Sequence, residues 1–352
     1  MSVEILIVGA GAVGLSSAIT LLEAGYHVTL LERGEVGQEA SWAGGGILSP
    51  LCSWDYQECV TRLAHRSMAM FPQAAAALYQ DTGIDPEYIQ SGMLVLPSLD
   101  MVHARAWCDR HRLSAQCCDV NEYLPGQTGL LLSEVAQVRN PRLLQALRKR
   151  VEMLGGVIHE QREVMGLVRH GERITALRTT QGDLSADAYV VTAGAWSKTL
   201  LGVHALRMDV KPIRGQILLF KFATPPFQNI LLRNDLYLIP RQDGHVLVGS
   251  TLEDVGFDKS ITPEGRVTLL QKIHEILPAW HDITPIQHWA GFRPGSPDNI
   301  PTIGRHPHLI NLYANTGHFR YGVTMSLASA ELLLNEIEQN PQPIATQTYR
   351  WR

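Results

Sequence analysis

The opening of the chain leaves few choices of fold. Val3-Glu4-Ile5-Leu6-Ile7-Val8 is an apolar run of β type, and Gly9-Ala10-Gly11-Ala12-Val13-Gly14 interrupts it with three spaced glycines. Residues 13–24 read as a helix closed by Gly25, and a second β-type run, 27–31, ends on Glu32. Together these form a complete βαβ unit. Gly9 permits the tight turn, Gly11 lets backbone approach a pyrophosphate, and Gly14 lets the helix pack close to the strand. The helix start, with Ala12 and Val13, offers unpaired N–H groups to phosphate. Glu32 then accepts hydrogen bonds from a ribose, and its charge repels a 2′-phosphate. A Gly-rich turn in an ordinary α/β protein would explain the glycines but not the whole unit.

At 352 residues the chain suits about two domains. Its 45% hydrophobic and 18% charged residues describe a globular protein with a large interior, and a net charge of −4 without a basic run argues against nucleic acid as a partner. Residues 5–22 carry no charge, but glycines and serines dilute the stretch and its helical part is too short for a bilayer, so no integral membrane segment is expected. Glu4 stands where a signal peptide would be basic, which points to a cytoplasmic protein. The five cysteines, Cys52, Cys59, Cys108, Cys117 and Cys118, show no zinc-type spacing, and His306-Pro307-His308 reads as a loop, so no metal is expected.

After Glu32-Arg33 comes a loop of small residues, Ser41-Trp42-Ala43-Gly44-Gly45-Gly46-Ile47. Helices are expected over 58–80, 100–112 and 142–154, and strands over 88–96, 157–159, 164–169 and 173–179. Tyr189-Val190-Val191-Thr192-Ala193-Gly194-Ala195-Trp196-Ser197 is a buried strand breaking at a small-residue turn, a second place where backbone can touch a cofactor. From Val210 the pattern changes to long strands, 216–222, 230–240 and 245–251, then a helix over 263–277, as in an antiparallel sheet with a helix. Trp289-Ala290-Gly291-Phe292-Arg293-Pro294, a strand over 309–314 and Thr316-Gly317-His318-Phe319-Arg320-Tyr321-Gly322-Val323, opening a helix to 338, return to the Gly-rich pattern. The nucleotide-binding domain is therefore expected in three pieces, 1–86, 141–209 and 287–340. A substrate domain takes 87–140 and 210–286, and the tail 341–352 is expected to be an extended surface segment.

These motifs in this order resemble the FAD-dependent D-amino acid oxidase family, most closely its glycine-oxidase branch, over nearly the whole chain. The resemblance implies an α/β fold, a Rossmann-type FAD domain of the glutathione-reductase kind joined to an α+β domain whose antiparallel sheet roofs the flavin. It implies FAD held without a covalent bond, since no cysteine follows Cys118. Val164 maps near the adenine, residues 43–47 beside the isoalloxazine, and the turn 317–323 at its pyrimidine end, where helix amides favour the charge of reduced flavin. Ala193, Gly194, Trp196 and Gly291 complete the cofactor set.

By the same resemblance Arg293 clamps the substrate carboxylate, because a planar guanidinium forms two parallel charge-assisted bonds and fixes orientation as well as charge. Tyr237 is its hydroxyl partner, Arg320 approaches the substrate side, and Leu252 and Ile47 line the pocket. The alternatives are an ion pair for Arg293, a core aromatic for Tyr237 and a phosphate or salt-bridge role for Arg320; His318 belongs to the flavin-binding turn as a hydrogen-bonding group, with proton transfer as its alternative. Implied partners are a small amino acid or amine (glycine, sarcosine, small D-amino acids) and molecular oxygen. Hydride transfer to flavin N5 would leave an imine, reoxidation by oxygen would give hydrogen peroxide, and the amine oxidation would feed thiamine thiazole synthesis, in a homotetramer. Tyr321 departs from the branch, which has asparagine there. Competing readings are a D-amino acid dehydrogenase of the same fold with another electron acceptor, and a dinucleotide-binding protein without turnover.

Overall fold

A computed structural model describes residues 3–97 and 99–352. It opens with β1 (Glu4–Val8), α1 (Ala12–Glu23) and β2 (His27–Leu31), the βαβ unit read from the sequence. A short α2 (Ala40–Ala43) and β3 (Ile47–Leu48) lead to the long α3 (Glu58–Thr82). Next come β4 (Met93–Val95), α4 (Met101–His111), β5 (Ala115–Asp119), β6 (Thr128–Leu132), β7 (Ala136–Gln137) and α5 (Asn140–Met153). Strands β8 (Val157–His159), β9 (Val164–His170), β10 (Arg173–Thr179), β11 (Gly182–Leu184) and β12 (Ala188–Val191) precede α6 (Ser197–Leu201). The remainder holds β13 (Lys211–Lys221), β14 (Ile230–Arg233), β15 (Leu236–Pro240), β16 (His245–Gly249), α7 (Pro263–Ile276), β17 (Gln287–Gly295), β18 (Thr302–Arg305), β19 (Leu312–Thr316) and α8 (Gly322–Glu338).

Two large sheets organise these elements. The first runs β18-β19-β12-β1-β2-β8, parallel except for β18. Alternation along β1 shows why it sits at the centre: Ile5 and Ile7 enter the core formed with α1, α3, α5 and α8, while Leu6 and Val8 enter the core on the other face. A strand apolar on both sides can only be buried on both sides. The second sheet runs β17-β13-β16-β15-β14-β4-β6-β5 and is antiparallel apart from the β14–β4 pair. Leu236 and Leu238 of β15 pack with α7 on one face, and Tyr237 and Ile239 belong to the opposite face.

Several expectations are corrected. The single strand expected over 230–240 is a hairpin turning at Asn234, which adopts φ +55, a conformation asparagine tolerates better than other side chains. The strand expected over 88–96 shrinks to β4, with Ile89 forming only a bridge to Gln137. Strand 287–295, grouped by its glycines with the nucleotide-binding pieces, is hydrogen-bonded along its length to β13 of the second sheet. The tail runs along the surface as expected, but two of its residues anchor it in the interior. Tyr349 is fully buried and donates to the Cys59 carbonyl at 2.6 Å, and Trp351 is buried with Nε1 donating to the Ala205 carbonyl at 3.1 Å. Two aromatic rings with polar tips outweigh the polar residues around them.

Candidate active site

A cavity of about 390 Å³ runs from the C-terminal ends of β1, β2, β12 and β19 to the face of the second sheet made by β13, β15 and β17. Ligands of doubly wound sheets bind at this edge. At Gly9 the backbone takes φ +105, and a Cβ there would lie 2.7 Å from the Thr192 carbonyl oxygen. A Cβ on Gly14 would lie 2.0 Å from the Gly9 oxygen, so the start of α1 is pressed against the sheet as the motif requires. Gly11 and Val13 line the cavity; Gly14 does its work behind it. Ala12 is a correction. Its N–H donates to Ser41 Oγ at 2.9 Å and its side chain is in the core. Gly11 cannot cap α1 with a side chain, and Ser41 from a distant loop supplies the acceptor instead.

Glu32 is 9% exposed and lines the cavity. Its carboxylate accepts the amides of Ala10 (2.9 Å) and Gly34 (3.0 Å), which orients it and leaves lone pairs for a diol. Arg33 lies 3.5 Å from the centre of the Trp196 ring and pairs with Glu39 at 2.9 Å. Val164, Ala193 and Gly194 complete this end, joined by Arg162, Met165 and Thr192, which sequence reasoning missed. Thr192 was legible as the polar residue ending a buried strand: its hydroxyl ties Val8 and Gly9 at 3.0 and 2.8 Å.

The small-residue loop is framed from outside. Asn140 donates to the carbonyls of Ser41 (2.6 Å) and Gly44 (3.0 Å), Arg241 to that of Gly45 (2.8 Å), and Thr324 to that of Ile47 (2.9 Å). Arg241 is buried without an ion-pair partner among the described residues, and burial lowers its pKa to about 10, so it remains a cation at neutral pH. Ser41, Ala43, Gly45, Gly46 and Ile47 face the cavity. Trp42 does not; it packs on Trp289 with ring centres 5.6 Å apart, because the short turn of α2 points it away.

At the other end, Arg293 and Gly291 project from β17, Tyr237 from β15, and His318 through Val323 from the turn into α8. Arg293 donates to Ser250 Oγ and to the Thr251 carbonyl at 3.2 Å, with no carboxylate paired to it among the described residues. Burial, and Arg320 nearby, lower its pKa, while the adjacent Tyr237 hydroxyl supports the charge. Space for these groups comes from two glycines that sequence reasoning missed, although glycine inside a strand signals close approach. A Cβ on Gly215 would lie 2.2 Å from Arg293 Nη1, and one on Gly249 would lie 2.6 Å from the Tyr237 hydroxyl. Arg320 lines the cavity, its guanidinium 5.6 Å from the Phe319 ring centre. His318 is 2% exposed, its Nε2 has no partner, and burial depresses its pKa to about 3. Leu252 is a correction: it is 49% exposed and outside the cavity. The Thr251 hydroxyl binds the Gln216 amide and Glu253, and this turns Leu252 to solvent.

The chemistry of these groups fits FAD: a glycine cradle at a helix start, an oriented carboxylate at a strand end, and a buried imidazole nitrogen that awaits a partner. None of the five cysteines lines the cavity. No group of metal-binding side chains is present among the described residues, and none of their helices is long and apolar enough to cross a membrane.

Comparison with known proteins agrees with the geometry. Glycine oxidase of Pseudomonas aeruginosa is 43% identical over 342 residues, 95% of this chain and 94% of that protein. The bifunctional protein ThiO/ThiG of Synechocystis is 31% identical over 354 residues, 97% of this chain and 52% of that protein. The crystal structure of glycine oxidase from Geobacillus kaustophilus superposes with a TM-score of 0.94 at 23% identity, covering 100% of this chain and 99% of that one, a likeness of fold. The family described as DAO, FAD dependent oxidoreductase, matches residues 4–335, and the chain belongs to that family and uses FAD.

Proposed function

We propose that the protein oxidises glycine and other small amines, sarcosine and small D-amino acids among them. The observation that carries this reading is Arg293, a guanidinium facing the cavity between Gly215 and Tyr237 with no acidic partner among the described residues. A cation in that condition fits an incoming carboxylate, bound through the two parallel bonds of its planar fork. Tyr237 supplies a hydroxyl to the same carboxylate, and Arg320 adds positive charge on the substrate side. The nucleotide end of the site is assigned to Gly9, Gly11, Val13, Glu32, Arg33, Ser41, Val164 and Trp196, and the flavin end to Ala43, Gly45, Gly46, Ile47, Gly291 and residues 318–323.

Bound FAD supplies two-electron acceptance from the Cα–N unit and delivery to oxygen, so that glycine, water and oxygen yield glyoxylate, ammonia and hydrogen peroxide. The surrounding residues position rather than exchange protons. The acids lining the cavity, Glu32, Glu39 and Glu163, belong to the nucleotide end, His318 stays neutral, and the raised pKa of Tyr321 keeps it a phenol. An amine entering as the free base needs no catalytic base to give up a hydride, which accords with that inventory. The ThiO/ThiG relative supports a role for the product in thiamine thiazole synthesis. A cytoplasmic homotetramer belongs to the same reading, as does a discontinuous FAD domain whose last piece begins after β17, which pairs with the second sheet. The test is anaerobic addition of glycine to the yellow protein, followed by air. Bleaching, then equimolar oxygen uptake and peroxide, is the expected result. Turnover only with an artificial acceptor would overturn the oxidase reading in favour of a dehydrogenase of the same fold.

A further inference from the structure

The wall segment between Ile47 and Tyr56 carries an unusual attachment. Ile47, Ser49 and Leu51 of this segment line the cavity, and Leu51 packs in the same apolar cluster as Tyr237 and Ile47. It is fastened from the side of α8. Thr324 holds the Ile47 carbonyl at 2.9 Å, and the Tyr321 hydroxyl accepts the Leu51 amide at 3.3 Å while donating to the Tyr56 hydroxyl. The two tyrosine rings meet edge to face with centres 5.2 Å apart. Tyr321 is 3% exposed, and its hydroxyl is committed to the segment. Its two ends are held by the pairing of β3 with β7 and by Trp54 packing on Trp107, and between them the hydroxyls of Ser49 and Ser53 donate to the Pro50 carbonyl at 3.0 and 2.9 Å. The phenol pair is thus the long-range polar anchor of Leu51, reaching 270 residues along the chain. It also adjoins both cations of the substrate end, since Arg320 acts electrostatically on both phenols and Tyr321 on Arg293.

We propose that Tyr321, through Tyr56, is a specificity-determining positioning residue that holds Leu51 against the substrate end of the cavity and so limits the accepted amino acids to those with little or no side chain. The proposal rests on the assignment of that end as the carboxylate site. A wall tied by hydroxyls to a buried ring cannot retreat from a bulkier Cα substituent without giving up those bonds, and an untied wall can. The role is steric and acts through the backbone of Leu51.

The experiment compares wild type, Tyr321→Phe and Tyr56→Phe, each loaded with FAD and checked by its visible spectrum. Kinetics with glycine, D-alanine and D-proline are joined by titration with acetate and benzoate, followed as perturbation of the flavin spectrum without turnover. Tyr321→Phe removes both bonds and is expected to raise the D-proline to glycine ratio of kcat/KM by about fivefold or more, mostly in KM, and the benzoate to acetate affinity ratio likewise. Fivefold is the equivalent of about 1 kcal/mol. Tyr56→Phe, which removes one bond at a ring outside the cavity, is expected to move both ratios the same way by less. Unchanged ratios in a flavin-loaded Tyr321→Phe protein would overturn the proposal. If that variant fails to load, Tyr56→Phe decides in the same terms. If wild type oxidises none of the three amino acids, the titrations still read wall position: a shifted size ratio upholds the strut, and an unshifted one overturns it.

Discussion

Replacing Arg293 by methionine separates a substrate clamp from a structural cation, because the two roles predict opposite signs for stability. In the fold Arg293 gives up hydrogen bonds to Ser250 Oγ, the Thr251 carbonyl and, at 3.5 Å, the Arg214 carbonyl, and it has no carboxylate within ion-pair distance among the described residues. Losing the two shorter bonds of this charged donor costs about 1.5–3 kcal/mol each, and the one at 3.5 Å less. Keeping an unpaired guanidinium out of water costs several kcal/mol, which the substitution relieves. The balance is near zero or stabilising, so the substrate-free holoenzyme should unfold within about 1 kcal/mol of wild type or above it. Catalysis should move the other way. Removing one partner of a desolvated charge pair costs about 2–5 kcal/mol, a loss of roughly 30- to 4,000-fold in kcat/KM for glycine. A third reading comes from ligand linkage, since a carboxylate at about 100 times its Kd stabilises wild type by about 2.7 kcal/mol and should leave the variant unmoved. Denaturant unfolding with and without acetate, together with steady-state kinetics, measures all three. A variant with unchanged kcat/KM and markedly lower stability would refute the assignment.

Other outcomes follow from the same geometry. Gly215→Ala places a methyl on the Arg293 guanidinium and should lower kcat/KM for glycine by about 100-fold with FAD still bound, read by kinetics and flavin absorbance. Glu32→Gln should weaken FAD binding by roughly tenfold, checked by equilibrium dialysis of the apoprotein, because a charged acceptor for the ribose becomes a neutral one. Stability should fall with acid. Burial, with His204 and His308 nearby, lowers the His306 pKa from 6.5 to about 4, and its Nδ1 accepts the amides of His308 and Leu309 at 3.0 Å each in the neutral ring. The unfolded chain therefore binds the extra proton between those values, so this contribution is complete above pH 6.5 and lost on descending to 4, on the order of 3 kcal/mol. Chemical denaturation at stepped pH should show that slope, and His306→Asn should flatten it. Trp351→Ala should cost about 3–5 kcal/mol, visible as a lowered unfolding midpoint.

Much of this was legible because the nucleotide unit is local: Gly9, Gly14 and Glu32 do their work within one βαβ element, where spacing translates directly into geometry. The substrate end is assembled from β13, β15 and β17, and there resemblance named Arg293 and Tyr237 while periodicity could not. Gly215 and Gly249 escaped notice because a glycine in a strand declares close approach without naming the visitor. Ala12 and Ser41 were both read as cofactor contacts, and the structure joins them to each other, since a cap supplied from 29 residues away leaves no local signal. Leu252 was misplaced because the residue of that stretch that lines the cavity is Ser250, while Thr251 is bound to Gln216 and Glu253 and Leu252 is exposed. The prolines and polar residues of the tail marked its surface course, while the anchoring of Tyr349 and Trp351 was missed although both carry large apolar area.

Strand order has a bearing on how the protein comes into being. The first strand to be made, β1, lies between β2 and β12, and β12 in turn needs β19, which follows β1 by some three hundred positions. During synthesis the glycine cradle therefore emerges early beside an unpaired strand edge, while the turn that closes the flavin end emerges near the finish. Prosthetic-group capture is consequently a late event of biogenesis, and the growing polypeptide must be shielded from aggregation through most of its translation.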